Sequence, residues 1–238
     1  MFVTENFVFL HLPKTAGVYV ESVCQDVLKM KILHSRRHAK CSELPSEFAH
    51  LPKIGVWRDP WDWYASLFQF AKIARNGATS ELVALASDEF SLGFEDTLER
   101  LLVPDEAFMA AYEEKMKAWG GRALDFECLG ANSLREAKER GLGLMGFLAE
   151  EIFPCQLDVE WRFETLKKQM LQHISPMCED RGKFRAAAVA QPRNSSNKPG
   201  LEMMYSPRGR DLVASREAPL IARLGYAPPR LRGVGASI

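Results

Sequence analysis

The residues best suited to chemistry stand in two short runs. The first is His11-Leu12-Pro13-Lys14-Thr15-Ala16-Gly17-Val18-Tyr19. An apolar stretch feeds a tight loop that opens a helix, so backbone N–H groups without intrahelical partners gather at the turn, where the helix dipole favours an anion. Lys14 adds a mobile point charge and Thr15 a hydroxyl. The run is not the G-x-x-x-x-G-K-[ST] phosphate loop, because Lys14 precedes its only glycine, Gly17. The second run is Val56-Trp57-Arg58-Asp59-Pro60-Trp61-Asp62-Trp63-Tyr64-Ala65-Ser66-Leu67. Arg58 stands at a strand end and Ser66 about two helical turns further on. A guanidinium fork matches phosphate geometry, and a serine hydroxyl converging on the same group is sound chemistry. The bland alternatives are a strand–helix turn with a solvated lysine, and a surface pair of Arg58 with Asp59 or Asp62.

Together, "HLPKTAG" followed by "WRDPWDWYASLF" resembles the sulfotransferases that use 3′-phosphoadenosine 5′-phosphosulfate (PAPS), in the branch of carbohydrate enzymes such as heparan sulfate 2-O-sulfotransferase and their bacterial relatives. Two later segments, "WRFETL" at 161–166 and "PRNSSNKPG" with the tail to Gly225-Tyr226, resemble that family's late strand, closing loop and terminal helix. The resemblance implies that Lys14, Thr15, Ala16, Gly17, Val18 and Tyr19 surround the 5′-phosphosulfate, and that Arg58 and Ser66 hold the 3′-phosphate. It further implies that Arg193, Ser195 and Lys198 belong to a loop closing over the nucleotide. PAPS is then the donor, PAP the product, and no metal is required. Lys14 assists the leaving phosphate during in-line transfer to a hydroxyl or amine.

The base that takes the acceptor's proton has several candidates. His38 is the first, since it lies between the two runs, where related enzymes often place a histidine, and imidazole has a suitable pKa. His34 would share its face if the segment were helical, and Glu43 and Glu47 are carboxylate fallbacks. His11 reads as structural, able to hydrogen-bond the loop. The family usually carries Thr or Ser where this chain has Val18 and Tyr19. One hydrogen bond lost to a charged group costs roughly 1.5–3 kcal/mol. Two alternatives therefore stand beside the enzyme: a non-catalytic PAP- or PAPS-binding protein, and a divergent nucleotide kinase.

These residues need elements to hold them. Phe7 to Leu12 reads as a buried strand, with a helix after the loop to about Met30. Ile54 to Trp57 reads as a second strand, with a helix from about Trp61 to Ala74 that has Pro60 near its start. Residues 77–150 contain an acidic helical insertion or cap within a single domain spanning 1–238. Val159 to Phe163 is a late strand followed by a helix to about His173. Ser206-Pro207 reads as a helix cap with proline at the first helical position. Strands alternating with helices indicate an α/β fold, and with the resemblance a P-loop-like three-layer sandwich around a central parallel sheet.

Composition sets the outer limits. The chain has 238 residues, 47% of them hydrophobic and 26% charged, with 31 basic and 31 acidic side chains. That excludes disordered and collagen-like chains, and a balanced charge does not suit a nucleic-acid coat. The balance conceals basic ends and an acidic middle, suited to one electropositive site for a small polyanion if the ends meet. The five cysteines form no C-x-x-C pair and read as reduced thiols rather than disulfides or zinc ligands. No apolar run approaches the ~20 residues of a membrane span. The expected setting is the bacterial cytoplasm, and the expected partner a small-molecule, lipid or carbohydrate acceptor.

Overall fold

The apolar start of the chain is interrupted by Thr4-Glu5-Asn6, and it folds back there rather than running as one strand. The Thr4 hydroxyl accepts from the Asn6 and Phe7 amides at 3.2 and 3.1 Å. This turn pairs β1 (Phe2–Val3) with β2 (Val8–Leu10) in antiparallel register, Phe2 opposite Phe9. The two rings stack with centroids 5.1 Å apart. These positions come from a computed structural model that describes residues 1–73, 78–119, 129–177, 182 and 199–231.

The chain divides into two compact units, Met1–Arg58 with Ala149–Ser195, and Asp59–Leu148 with Ser196–Ile238. The first holds a five-stranded sheet ordered β3-β1-β2-β4-β5. Here β3 is His34–Ser35, β4 is Lys53–Trp57 and β5 is Val159–Arg162. β2, β4 and β5 run parallel, while β1 pairs antiparallel with both of its neighbours, β2 and β3, so the sheet is mixed rather than wholly parallel as the sequence suggests. The expectation failed because β1 and β3 are only two residues long, too short to announce themselves by alternation. After β2, helix α1 (Gly17–Ser22) continues into a π-helical turn, Val23–Val27, and β5 leads through a 3-10 turn into Leu166–His173. Val20, Val23 and Cys24 from the first helix, and Leu166, Met170 and Ile174 from the last, pack with Phe9, Ile54, Val56 and Trp161 of the strands. The periodicity of each helix turns one apolar stripe to the sheet.

Cys41 and Cys155, 114 residues apart, form a disulfide with Cα atoms 6.2 Å apart. This corrects the reduced-thiol reading for these two residues. Their scattered positions along the chain carried no information about distance in space. On a chain-entropy account, closing a loop of that size adds on the order of 4–5 kcal/mol. Among the described residues no helix is long and apolar enough to cross a membrane.

The second unit is helical: α2 (Pro60–Ile73), α3 (Ala78–Ala86), α4 (Phe94–Leu102), α5 (Glu106–Trp119), α6 (Ser133–Glu139), and the helices Pro207–Arg216 and Ala218–Leu224. Helix α7 (Leu144–Ile152) contains the boundary between the units. Trp61 and Trp63 are fully buried, and the Trp61 indole donates to the Arg210 carbonyl at 2.9 Å. Ser206 caps its helix through the Gly209 amide at 3.2 Å, as its type and the following proline predict.

A buried carboxylate organises this unit. Glu217 is 1% exposed and accepts from the Met145 and Gly146 amides at 3.0 and 2.9 Å and from the Tyr64 hydroxyl at 2.5 Å. It thus supplies acceptors for orphan N–H groups at the start of α7. Gly143 must lack a side chain, since a Cβ there would lie 2.2 Å from a Glu217 oxygen. Burial raises the Glu217 carboxyl from the usual 4.5 to about 7, against the pull of these donors. Between those values the folded state holds a proton that the unfolded chain has released. The contribution is therefore complete below pH 4.5 and lost as pH rises through 7, a swing of at most about 3 kcal/mol. The stability advantage of the wild type over Glu217→Gln should be larger at pH 5 than at pH 8 in chemical denaturation; an advantage independent of pH would count against this titration.

Candidate functional site

Parallel pairing brings the carboxyl ends of β2, β4 and β5 to one edge of the sheet, since Leu10 lies opposite Gly55 and Trp57 opposite Arg162. In open α/β sheets this edge is where ligands bind. Three chain segments leave it: the Lys14 loop after β2, Arg58 after β4, and Phe163 after β5.

Arg58 joins all three. Its Nη1 donates to the Lys14 carbonyl at 2.6 Å, and its guanidinium lies 4.0 Å from the centroid of the Phe163 ring. The side chain is buried. Asp59, next in sequence, does different work. Its carboxylate accepts from the Asp62 amide at 3.1 Å and caps α2, with Pro60 as the first helical residue. The Arg58-Asp59-Pro60 run thus divides into a cation at the sheet edge and a helix start.

The loop itself is unusual. Lys14 and Ala16 have φ of 62° and 65°, left-handed values that are uncommon outside glycine, while Thr15 between them does not. Left-handed residues in a loop are one ingredient of the backbone concavities that bind anions. Thr15 is fully buried, and its hydroxyl donates to the Leu12 carbonyl at 2.8 Å, so it braces the loop. Val18 is partly exposed. Tyr19 is buried in the core of the first unit, and its hydroxyl has no hydrogen-bond partner among the described residues. Loss of solvent raises its pKa.

Gly17 explains itself through His11. A Cβ at position 17 would lie 2.0 Å from the His11 Cδ2 and 2.2 Å from its Nε2, so the imidazole fills the space that the missing side chain leaves. The His11 ring also faces His38, with centroids 4.3 Å apart. His38 Nδ1 lies 2.9 Å from the His11 carbonyl. A carbonyl only accepts, so Nδ1 carries the hydrogen in the neutral ring and Nε2 holds the lone pair. Burial lowers the His38 pKa to about 4, with the nearby positive charges of Arg37 and Lys14 adding to the effect. Burial, and then the charge of His38, also holds His11 well below the usual 6.5. Both rings are therefore neutral at pH 7.

The other base candidates are differently placed. His34 lies in strand β3, not in a helix, so the shared face with His38 does not exist; its Nε2 is buried and has no hydrogen-bond partner among the described residues. Glu43 accepts from the Lys40 amide at 2.8 Å and pairs with Arg36 at 3.1 Å. Glu47 is exposed in a 3-10 turn, Ser46–Phe48. Ser66 is buried on α2 and belongs to the second unit. Arg193, Ser195 and Lys198 lie outside the described residues. Lys14, Arg58, Gly17 and His38 thus come together within the first unit. The His11–Gly17 contact and the His11–His38 bond were not foreseen in detail, although the His-x-x-x-x-x-Gly spacing held the signal. No family model matches the chain, and no curated protein or solved structure does.

The Gly17→Ala variant should lose about 1–3 kcal/mol of stability, the scale of overpacking a close-packed site. Chemical denaturation measures it directly. Unchanged stability would mean that the His11 ring moves aside at no cost.

Proposed function

We propose that this chain is a PAPS-dependent sulfotransferase, on a P-loop-like sandwich, acting on a hydroxyl or amine of a small or modest-sized acceptor. One observation carries the reading: the Arg58 guanidinium donates to the carbonyl of Lys14, which puts a left-handed, N–H-rich loop and two cationic residues at one parallel sheet edge. The motif resemblance of the two runs adds to it. A doubly charged nucleotide fits this set, because the loop amides and Lys14 offer donors to one phosphate-like group and Arg58 to another.

In the proposed reaction the acceptor oxygen attacks sulfur in line, and the bond from sulfur to the phosphate oxygen breaks. His38 Nε2 takes the acceptor's proton, since Nδ1 is held as a donor by the His11 carbonyl. An imidazole with a pKa near 4 is a weak base, but an anionic donor bound beside it raises that value, because opposite charge favours the protonated ring. The Lys14 ammonium offsets charge on the departing phosphate. Gly17 and His11 keep the loop and the base in register. Ser66, Arg193, Ser195 and Lys198 remain part of the proposed nucleotide site through the resemblance alone.

A second reading, a PAP- or PAPS-binding protein without transfer, is favoured by one feature. Thr15 spends its hydroxyl on Leu12, and Val18 has none, so the loop has few side-chain donors for a sulfuryl group. The bacterial cytoplasm remains the proposed setting. The Cys41–Cys155 bridge weighs against that setting, because reducing pools keep thiols open there; thiol counting in protein trapped from intact cells checks it. A bridged pair would move the protein to an oxidising compartment.

Calorimetry with PAP and with ATP tests the nucleotide. PAP should bind, and Arg58→Ala should abolish most of that binding. Preference for ATP with magnesium would favour a kinase instead. With PAPS and an acceptor panel, Lys14→Ala should lower turnover by ~100-fold, the scale of losing one key electrostatic group. Turnover close to wild type would remove Lys14 from the mechanism, and PAP binding with no transfer to any acceptor would favour the second reading.

A further inference from the structure

We infer that the Cys41–Cys155 disulfide, with the Lys40–Glu151 ion pair beside it, is the positioning device for His38, so that thiol–disulfide exchange at this bridge switches the imidazole between a held and a released state. Its catalytic meaning rests on the function proposed above; its structural content does not.

His38 sits in the left-handed region, with φ of 56°, a conformation that a histidine keeps only when its surroundings impose it. On one side its ring is tied to the His11 carbonyl. On the other, Ala39 is fully buried and donates to the Arg36 carbonyl at 3.3 Å. The Lys40 amide meets Glu43 in the 3-10 turn that follows. These ties are local. Two others reach far along the chain: Lys40 pairs with Glu151 near the end of α7, and Cys41 bonds to Cys155 four residues beyond it. Both Lys40 and Glu151 are partly exposed, with side chains 34% and 22% accessible, so their attraction is screened and weak alone. The covalent bridge is therefore the strong anchor, three residues from the imidazole.

The bridge is open to exchange from one side. Cys41 is buried but Cys155 is only half-buried, so a small thiol meets the Cys155 sulfur first. Its thiolate bonds to Cys155 Sγ, the Sγ–Sγ bond breaks, and the electron pair leaves on Cys41, which takes up a proton. A second thiolate attacks the outer sulfur of the mixed disulfide and releases Cys155, which is protonated in turn. Two small thiols become one disulfide while the protein gains two thiols.

The readout is the His38 imidazole itself, followed by its Cε1–H resonance against pH. The charged and titratable groups acting on it are His11, Lys14, Arg37 and the α-amino group of Met1. In the bridged protein it should titrate near 4. With dithiothreitol, and in Cys41→Ser/Cys155→Ser, it should rise by at least one pH unit towards 6.5, with far-UV circular dichroism unchanged and with reversal on reoxidation of the wild type. Thiol counting confirms that two additional thiols have appeared. An unmoved titration with both thiols released would overturn the inference. So would global unfolding on reduction, which would make the bridge a requirement of the whole unit rather than a control on one side chain. PAP calorimetry in both redox states runs alongside. Absence of PAP binding in both would remove the sulfotransferase reading and leave the switch to be judged by the imidazole alone.

Discussion

The hydrogen bond from Arg58 to the Lys14 carbonyl is the constraint on which the sheet edge depends. Three parallel strands end there, and their loops would otherwise be free to diverge. Arg58 is buried at the end of β4, reaches the loop after β2, and lies over the ring that follows β5. A buried guanidinium needs acceptors, and a carbonyl in a strained loop supplies one. The backbone of the Lys14 loop thereby helps to keep the cation at the edge. Asp59, the next residue, caps α2 by accepting from the Asp62 amide.

The second unit solves the opposite problem. It buries a negative group and must satisfy it. Glu217 does so at the start of α7, where unpaired amides are already present, and Glu95 accepts from the Ser206 amide at 2.6 Å at the head of the Pro207–Arg216 helix. Carboxylates on helix starts answer orphan donors, so two of this unit's helix starts are satisfied from within its own acidic side chains. The acidic middle of the sequence supplies Glu95 and ion pairs like those of Arg135 with Glu106 and Glu113, whereas Glu217 comes from the basic C-terminal end.

In the first unit the loop, the two histidines and Gly17 form one packed arrangement. Gly17 admits His11, His11 offers a carbonyl to His38, and that bond sets which nitrogen of His38 holds the lone pair. A larger residue at position 17 would disturb the His38 ring as well as the loop. The same economy limits the loop chemically. Thr15 is committed to its backbone, and Tyr19 turns into the core, so under the proposed function amides, Lys14 and Arg58 would be the donors to the nucleotide.

Local chemistry was readable from the residues. Apolar runs marked β2 and β4, apolar–charged alternation marked β5, proline and serine marked helix starts, and the order of Lys14, Gly17 and Arg58 marked the loops that leave the sheet. These features depend on neighbours within a few positions, which periodicity and turn preferences report. The two-residue strands were too short for any period. The left-handed backbone at Lys14, Ala16 and His38 went unseen because none is glycine. The Cys41–Cys155 bridge, the Glu217 cap on α7 and the Arg58–Lys14 bond join residues 114, 71 to 72 and 44 positions apart. Such pairings exist only once packing has chosen which surfaces meet, and no local preference encodes that choice.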